Sequence, residues 1–449
     1  MSDNKHIGVC VLGAAESGIG AALLAHKEGY DVFVTDYGKI EEKAKKKLEE
    51  LNIPYEEERH SEEKILKADI VIKSPGIADT VSIIKKIKEK GIEIISEIEW
   101  AYRFKGDSKV VAITGTNGKT TTTSLVYHIC KTAGLECALV GNIGYSFAAE
   151  VADNPKPLYI AEISSFQLDD ITTFKPDIAV LLNITEDHLD RYDHKMEKYI
   201  DSKFKIIENQ TAKDVFIYNA DDEIIIKKIK NSKLLSQSIP FTMKHEENKG
   251  AYIKNGQMMM KIQEERVSMD IYDFALKGKH NQYNTMAAGL AGASLNIRKE
   301  KIREAIKTFE NLEHRMEFVK NVNGVDYIND SKGTNLNSVW FALESMTKPT
   351  VLIMGGVDKG NDYSFLEELV KEKVKAIVCI GLDNSKILHA FGAMLPMVDT
   401  DNMKDAVTKA QQMSKEGDTV LLSPGCSSFD LFKNYMERGN IFKEEVNLL

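Results

Sequence analysis

The stretch VVAITGTNGKTTTTSL, residues 110–125, runs an apolar strand straight into a glycine turn, a lysine and four threonines. Few local patterns restrict a fold more. Glycines that bare their N–H groups after a buried strand, followed by a lysine and a hydroxyl that open a helix, cradle phosphate at the edge of a parallel sheet. The common spacing, Gly, four residues, then Gly-Lys-Ser/Thr, calls for glycine where Ile113 stands, and the first glycine is Gly115, so the loop is shortened. It keeps its working parts: Gly115, Thr116, Asn117 and Gly118 offer backbone donors, Lys119 a cation for the terminal phosphates, and Thr120 a hydroxyl for magnesium. Thr121, Thr122 and Thr123 fit the first helical turn, so the metal role falls to Thr120 alone.

The rest of the chain repeats the strand-helix rhythm. Its 449 residues exceed what one core organises and, at about 150 residues per domain, predict about three. IGVCVLG, DVFVTD, ADIVIKS and IEIIS alternate with helical stretches rich in glutamate and lysine, which predicts a parallel sheet flanked by helices. The lysine-rich residues 41–50 read as a solvated helix face, and FKGDSK, residues 104–109, reads as a linker. A second module opens with the phosphate loop and continues through PLYIAEIS and DIAVLLNIT. AYIKNGQMMMKI predicts a hairpin turned at Asn-Gly. The rhythm restarts near NLEHRMEF with VDYINDS, TVLIMGG, AIVCIG and DTVLLSPG. The expected fold class is α/β in three domains: a Rossmann-like domain over 1–107, a central P-loop ATPase-type parallel sheet with a small β element over 108–312, and a second Rossmann-like domain over 313–449.

Charge and cysteine usage narrow the function. A net charge of −9 argues against a nucleic-acid surface, which needs an excess of lysine and arginine. The five cysteines, Cys10, Cys130, Cys137, Cys379 and Cys426, are odd in number and lack paired spacing, so reduced thiols in a cytoplasmic protein are expected. KHIGVCVLGAAESGIGAALLAHK resembles a signal peptide only superficially, because Glu16 and the glycines fit a strand-turn-helix better. No apolar run reaches the roughly 18 residues of a membrane span, so no membrane insertion is expected.

Several residues then stand out. The turn Gly13-Ala14-Ala15-Glu16-Ser17-Gly18, with Asp36 ending the next strand, is close to a dinucleotide fingerprint, but Ala15 replaces the glycine that lets a pyrophosphate approach. A site for another diphosphate and a mere structural turn both stay open. Glu162 interrupts an apolar strand near its carboxyl end, where it holds magnesium or pairs with an arginine. In TEDHLDRYDH, the carboxylates and His194 read as a solvated loop rather than a zinc site, and His188, nearest the strand end, is the candidate. In KMEKYIDSKFKII, Met196, Tyr199, Ile200, Phe204 and Ile207 form an apolar stripe with Lys203 inside it. Either that amine snorkels, or burial depresses its pKa and frees it for covalent chemistry.

TGTNGKT, AEISSFQL, NITEDHLDRY with YIDSK, GKHNQYN, EHRMEFV, NDSKGTN, GGVDKG and SPGCSSFDLFKNYMERG together resemble the Mur ligases, from the first turn to the last helix. The resemblance implies that ATP phosphorylates the carboxylate of UDP-N-acetylmuramoyl-L-alanine to an acylphosphate, which the amine of D-glutamate attacks. It implies two Mg2+ ions, with Mn2+ as a substitute: Thr120 and Glu162 for one, His188 and a Lys203 carbamylated by CO2 for the other. Residues Gly115 to Thr121, with Lys119 catalytic, would hold the phosphates, and Asn281, Asn284, Arg315, Asp330 and Lys332 the rest of the nucleotide. Ser17, Asp36, Ser74, Gly76, Asn142 and Gln167 would line the UDP-sugar path, and Thr334, Lys359, Ser428 and Tyr435 the D-glutamate pocket. Tyr37 stands where an arginine of the family contacts uracil, and no step implied here needs Cys426 as a nucleophile. A monomer is expected. The rival readings are a ligase of a neighbouring Mur or folate type, a nucleotide-operated switch and a dehydrogenase.

Overall fold

Strands with β-branched residues on both faces bury both faces, and helices must then cover each side. The computed structural model, which describes residues 7–262, 265–276, 278–310, 313–358 and 360–449, meets that demand in three sheets. The first sheet holds β1 (Gly8–Leu12), β2 (Asp31–Thr35), β3 (Tyr55–Glu56), β4 (Ile70–Lys73) and β5 (Glu93–Ile95) in the order β3-β2-β1-β4-β5. Every pairing in it is parallel.

The second sheet contains β6 (Lys109–Thr114), β7 (Ala138–Gly141), β8 (Leu158–Glu162), β9 (Ile178–Leu181), β10 (Val215–Asn219), β11 (Gln237–Thr242), β12 (Gly250–Lys254), β13 (Gln257–Ile262) and β14 (Glu265–Asp270). Its order is β14-β13-β12-β11-β10-β9-β6-β8-β7. β6 is therefore flanked by β8 on one side and β9 on the other, the reversal of strand order at which open α/β sheets bind ligands beyond the carboxyl ends. The expected hairpin is present: β12 and β13 pair antiparallel around Asn255 and Gly256, both at positive φ. β12 to β14 form the small β element, and the helix Lys119–Thr132 leaves β6 directly after the phosphate loop.

The third sheet is built of β15 (Glu317–Val322), β16 (Val325–Asn329), β17 (Thr350–Gly355), β18 (Val374–Ile380), β19 (Met397–Thr400) and β20 (Thr419–Gly425), in the order β15-β16-β20-β17-β18-β19. Only β15 runs antiparallel to its neighbour. Alternation along its strands supplies two cores: Val351, Ile353, Val420 and Leu422 pack with Phe442 on one face, Leu352, Met354 and Leu421 with Phe391 on the other.

The chain separates into two compact units. One runs to Phe274 and resumes over Tyr283–Thr308, and the other holds Ala275–Gln282 and Phe309–Leu449. Within the first unit a single core passes from Val9, Val11 and Leu24 to Ala112, Phe147 and Tyr159, joining the first two sheets.

A buried carboxylate fastens that junction. Glu99, in the helix Glu97–Phe104, is fully buried and accepts from the backbone N–H and hydroxyl groups of Thr172 and Thr173, from the Phe174 N–H at 2.7 Å, and from Arg103 Nε at 3.0 Å. Burial alone would raise its pKa, but hydrogen bonds from Thr173, Thr172 and Arg103 outweigh it and hold the carboxyl below its ordinary value. The stability it contributes is present at neutral pH and is lost as pH falls through that lowered value. Glu99→Ala should cost about 3–5 kcal/mol, because it leaves the buried backbone N–H groups of Thr172, Thr173 and Phe174 without their acceptor, while Arg103 keeps its pair with Glu93. Urea unfolding at neutral pH should show this, with a smaller loss for Glu99→Gln and a gap from wild type that narrows on acidification.

Candidate active site

The phosphate loop is held by its own backbone and by the segment after β9. Gly115 sits at φ 155° against Leu182, and Gly118 at φ 81° caps the helix Lys119–Thr132, where a Cβ would come within 2.4 Å of Asn284 Oδ1. Both positions therefore demand glycine. The residues between are clamped to the segment after β9. Thr116 N–H donates to the Asn183 carbonyl at 2.9 Å and Asn117 N–H to Asn183 Oδ1 at 2.8 Å. Thr116 Oγ1 meets the Thr185 carbonyl and the Tyr199 hydroxyl, each at 3.1 Å. Lys119 Nζ donates to the carbonyls of Gly115 at 2.9 Å and Thr116 at 2.8 Å.

Lys203 does not snorkel. It is 1% exposed in the helix Met196–Phe204, donates to the Gly115 carbonyl at 2.8 Å, and lies 4.6 Å from the centre of the Tyr199 ring. Burial first, and the Lys119 charge second, push its pKa well below the ordinary lysine value, against the pull of Asp187 and Asp169. The apolar stripe departs from expectation at its end: the helix tightens into a 3-10 turn over Lys205–Ile207, which buries Ile206 and leaves Ile207 half-buried.

Lys119, Asn142, His188 and Lys203 line one cavity of about 210 Å³, together with Gly76. His188 sits at φ 54°, its Nε2 3.6 Å from Asp187 Oδ2 and its ring edge-on to Phe166. Glu162, 1% exposed, ends β8 beside β6 and accepts from Asn142 Nδ2 at 2.8 Å. Thr120, 3% exposed, opens the adjacent helix, so a hydroxyl and a carboxylate share this sheet edge. Among the described residues no three His, Cys, Asp or Glu side chains cluster to hold a metal ion. Magnesium needs no such cluster, since it takes one or two protein oxygens and completes its shell with phosphates and water, and Thr120 and Glu162 are donors of that kind.

At the edge of the first sheet, Asp36 is committed to the turn itself: its Oδ2 accepts from Ala14 N–H at 2.6 Å and its Oδ1 from Gly38 N–H at 2.7 Å. Ser17 lies in the first turn of the helix Glu16–Lys27, and Ser74 follows β4, the neighbour of β1. Gln167 closes a capping box with Ser164, taking its N–H at 2.9 Å, and so fixes the start of a helix beside the cavity.

The second unit gathers its candidates beyond β16 and β20. Asp330 accepts from Ser423 Oγ at 2.8 Å, and burial pushes its carboxyl up to about 7 against the pull of Ser423 and Arg315. The ammonium of Lys332 lies 5.1 Å from the centre of the Tyr435 ring. Thr334 follows Gly333, whose N–H closes a turn onto the Asp330 carbonyl, and Ser428 is buried just after β20. Asn281, in the first turn of the helix Lys279–Ser294, belongs to this unit, whereas Asn284 belongs to the first. Lys359 lies outside the described residues.

Two arginines escaped the sequence reading. Arg438, 1% exposed, donates to the Ser331 hydroxyl at 3.0 Å and to the carbonyls of Ser331 at 2.8 Å and Cys426 at 3.2 Å, joining NDSKG to SPGC. Its signal was present: Arg438, Phe442 and Val446 are spaced four apart on the buried face of the last helix, the same pattern that flagged Lys203. Arg191 donates to the carbonyls of Pro75, Gly76 and Ile77, and nothing local in HLDRYDH announces it. Cys426 is buried, as are the other cysteines, and all five are free.

Comparison with known proteins matches three successive segments of the chain. Residues 6–83 match the MurD N-terminal domain, 113–292 the Mur ligase middle domain, and 314–426 the Mur ligase, glutamate ligase domain. The chain is 52% identical over 442 residues to a UDP-N-acetylmuramoylalanine–D-glutamate ligase of Christiangramia forsetii, covering 98% of this chain and 99% of that one. It is 50% identical over 443 residues to the ligase of the same name from Bacteroides fragilis, with the same two coverages. Two solved structures share the fold: UDP-N-acetylmuramate-alanine ligase of Thermotoga maritima, at TM-score 0.63 and 17% identity over 99% of this chain and 100% of that one, and a pseudomurein peptide ligase of Methanothermus fervidus, at 0.61 and 19% with the same coverages. Matched in three successive segments, and along nearly its whole length by relatives half identical to it, the chain belongs to the Mur ligase family.

Proposed function

We propose that this chain is an ATP-dependent, ADP-forming ligase that joins D-glutamate to UDP-N-acetylmuramoyl-L-alanine in peptidoglycan synthesis. The observation that carries this reading is the full-length match to relatives bearing that ligase name. The cavity between the phosphate loop, His188 and Lys203 supports it as the place where a carboxylate meets a terminal phosphate. In this reading residues 1–107 take the UDP-sugar, 108–312 the ATP, and 313–449 the amino acid. Because the reaction consumes ATP, we place it in the cytoplasm, where the five free thiols also persist.

The chemistry asks little covalent work of the protein. A carboxylate oxygen of the acceptor attacks the γ-phosphorus, the bond to ADP breaks, and an acylphosphate forms; the amine of D-glutamate then attacks the acyl carbon and phosphate leaves. Charge must be absorbed where it develops, and that is the service of Lys119 and the N–H groups of the loop. Magnesium, when bound, neutralises the phosphate oxygens; Thr120 and Glu162 would hold one ion, His188 and a carbamate on Lys203 a second. Lys203 suits that modification, since burial and the Lys119 charge favour its uncharged amine, and an uncharged amine adds CO2 to give a carbamate and a proton. The product is an anion beside Lys119, an opposite charge in place of a second amine.

Phosphate release with UDP-N-acetylmuramoyl-L-alanine and a panel of D- and L-amino acids tests the reading; response to an L-amino acid in place of D-glutamate would reassign the chain to a neighbouring ligase type. Lys119→Ala should abolish acylphosphate formation, because a point charge at the β/γ-phosphates would be gone. Lys203→Ala should lose activity that small carboxylic acids partly restore, whereas Lys203→Arg, permanently cationic, should not be rescued. Lys359→Ala should weaken D-glutamate use roughly tenfold to a hundredfold, the loss of about 1.5–3 kcal/mol for one charge-assisted contact, with the KM for ATP unchanged. A change in the ATP constant alone would move the amino-acid pocket elsewhere.

A further inference from the structure

We propose that Arg191 and Lys73 are positioning residues for the acceptor: together they fix the loop Ser74–Asp79, which forms one wall of the reaction cavity, against the loop that carries Asp187 and His188 on the other. Pro75 and Gly76 line the cavity opposite no strand or helix of their own, so their place depends on what holds the loop. Arg191 holds it from across the cavity. Its guanidinium donates to the carbonyls of Gly76 at 3.1 Å, Pro75 at 3.2 Å and Ile77 at 3.3 Å, and it lies 4.4 Å from the centre of the Phe166 ring, itself a cavity wall. Its own backbone N–H is bonded to the His188 carbonyl at 3.0 Å, so one residue ties the acceptor-side wall to the phosphate-side wall.

Lys73 holds the loop from beneath. It ends β4 with its side chain 3% exposed, and its amine bonds Asp79 Oδ1 at 2.8 Å and the Ile77 carbonyl at 3.2 Å, closing the loop on itself. The same amine pairs with Asp170 Oδ2 at 3.0 Å, a residue that follows the Gln167-capped helix of the second sheet. Burial would discharge it, but Asp170 and Asp79 outweigh that and keep it charged. Three carbonyls bound by one planar fork make a geometric requirement that a lysine cannot meet.

The inference rests on the proposed acceptor, and the experiment keeps the two apart. Wild-type enzyme is first assayed for ADP release dependent on UDP-N-acetylmuramoyl-L-alanine; absence of that dependence sinks the acceptor reading and this inference with it. With that dependence present, R191M, R191K, K73M and the charge-balanced pair K73M/D170N are compared for KM of each substrate, kcat and thermal midpoint. R191M should raise the acceptor KM roughly tenfold to a hundredfold with the ATP and D-glutamate constants within about twofold. R191K should recover only a part, because it restores charge without the fork. K73M/D170N should fold even if K73M does not, and should show the same selective rise. An acceptor KM unchanged in both R191M and K73M/D170N, or a rise shared by all three substrates together with a lowered thermal midpoint, would overturn the proposal.

Discussion

One backbone carbonyl, that of Gly115, accepts from two lysines at once, Lys119 at 2.9 Å and Lys203 at 2.8 Å. Two ammonium groups on one oxygen repel, and at least one of them must yield its charge or change its chemistry. Much around the cavity follows from managing this conflict. The oxygen is held in place because Gly115 has an extreme φ and its neighbours are fastened to Asn183, Thr185 and Tyr199. Lys203 cannot withdraw, since Tyr199 and Phe204 bury the helix that bears it. The resolution is asymmetric: Lys119 is half-buried at the helix start, whereas Lys203, fully buried, carries the depressed pKa.

Three ions elsewhere, Glu99 and Arg438 buried and Arg191 half-buried, share a common design. Glu99 binds the N–H groups of Thr172, Thr173 and Phe174; Arg438 binds the carbonyls of Ser331 and Cys426; Arg191 binds those of Pro75, Gly76 and Ile77. In each case a charged side chain satisfies main-chain groups of a loop that the sheets leave unpaired. Such groups cannot stay bare inside a protein, and an ion with several donors or acceptors in a fixed array is the economical partner. The strands thus set where the loops begin, and the ions set where they go.

The sheets were legible because their signals are local. Apolar runs alternating with helical stretches gave all three modules, and Asn255-Gly256 gave the hairpin. Lys203 was legible too, since a charge inside an apolar stripe stands out within a dozen residues. Arg191 was not: its acceptors lie more than a hundred positions away and are carbonyls, which every residue possesses. Asp36 and Gln167, expected to line the sugar path, are also engaged in a turn and a helix cap, a use the sequence does not show. Both uses draw on the same carboxylate or amide oxygens, and sequence carries no record of which partner those oxygens meet first.

The Glu99 clamp bears on how such a chain can be inherited. Composition and motif divide it into pieces that look exchangeable, each with its own sheet. Yet the carboxylate sits before the phosphate loop and nearly all its hydrogen-bond donors sit after β8, on the far side of the second sheet's first strands. A recombination event between residues 104 and 109 would leave one descendant a buried carboxylate with Arg103 alone and the other a set of orphaned amides. The first hundred residues are therefore bound to travel with the sheet that follows them, as one heritable block, however separable their ligands are.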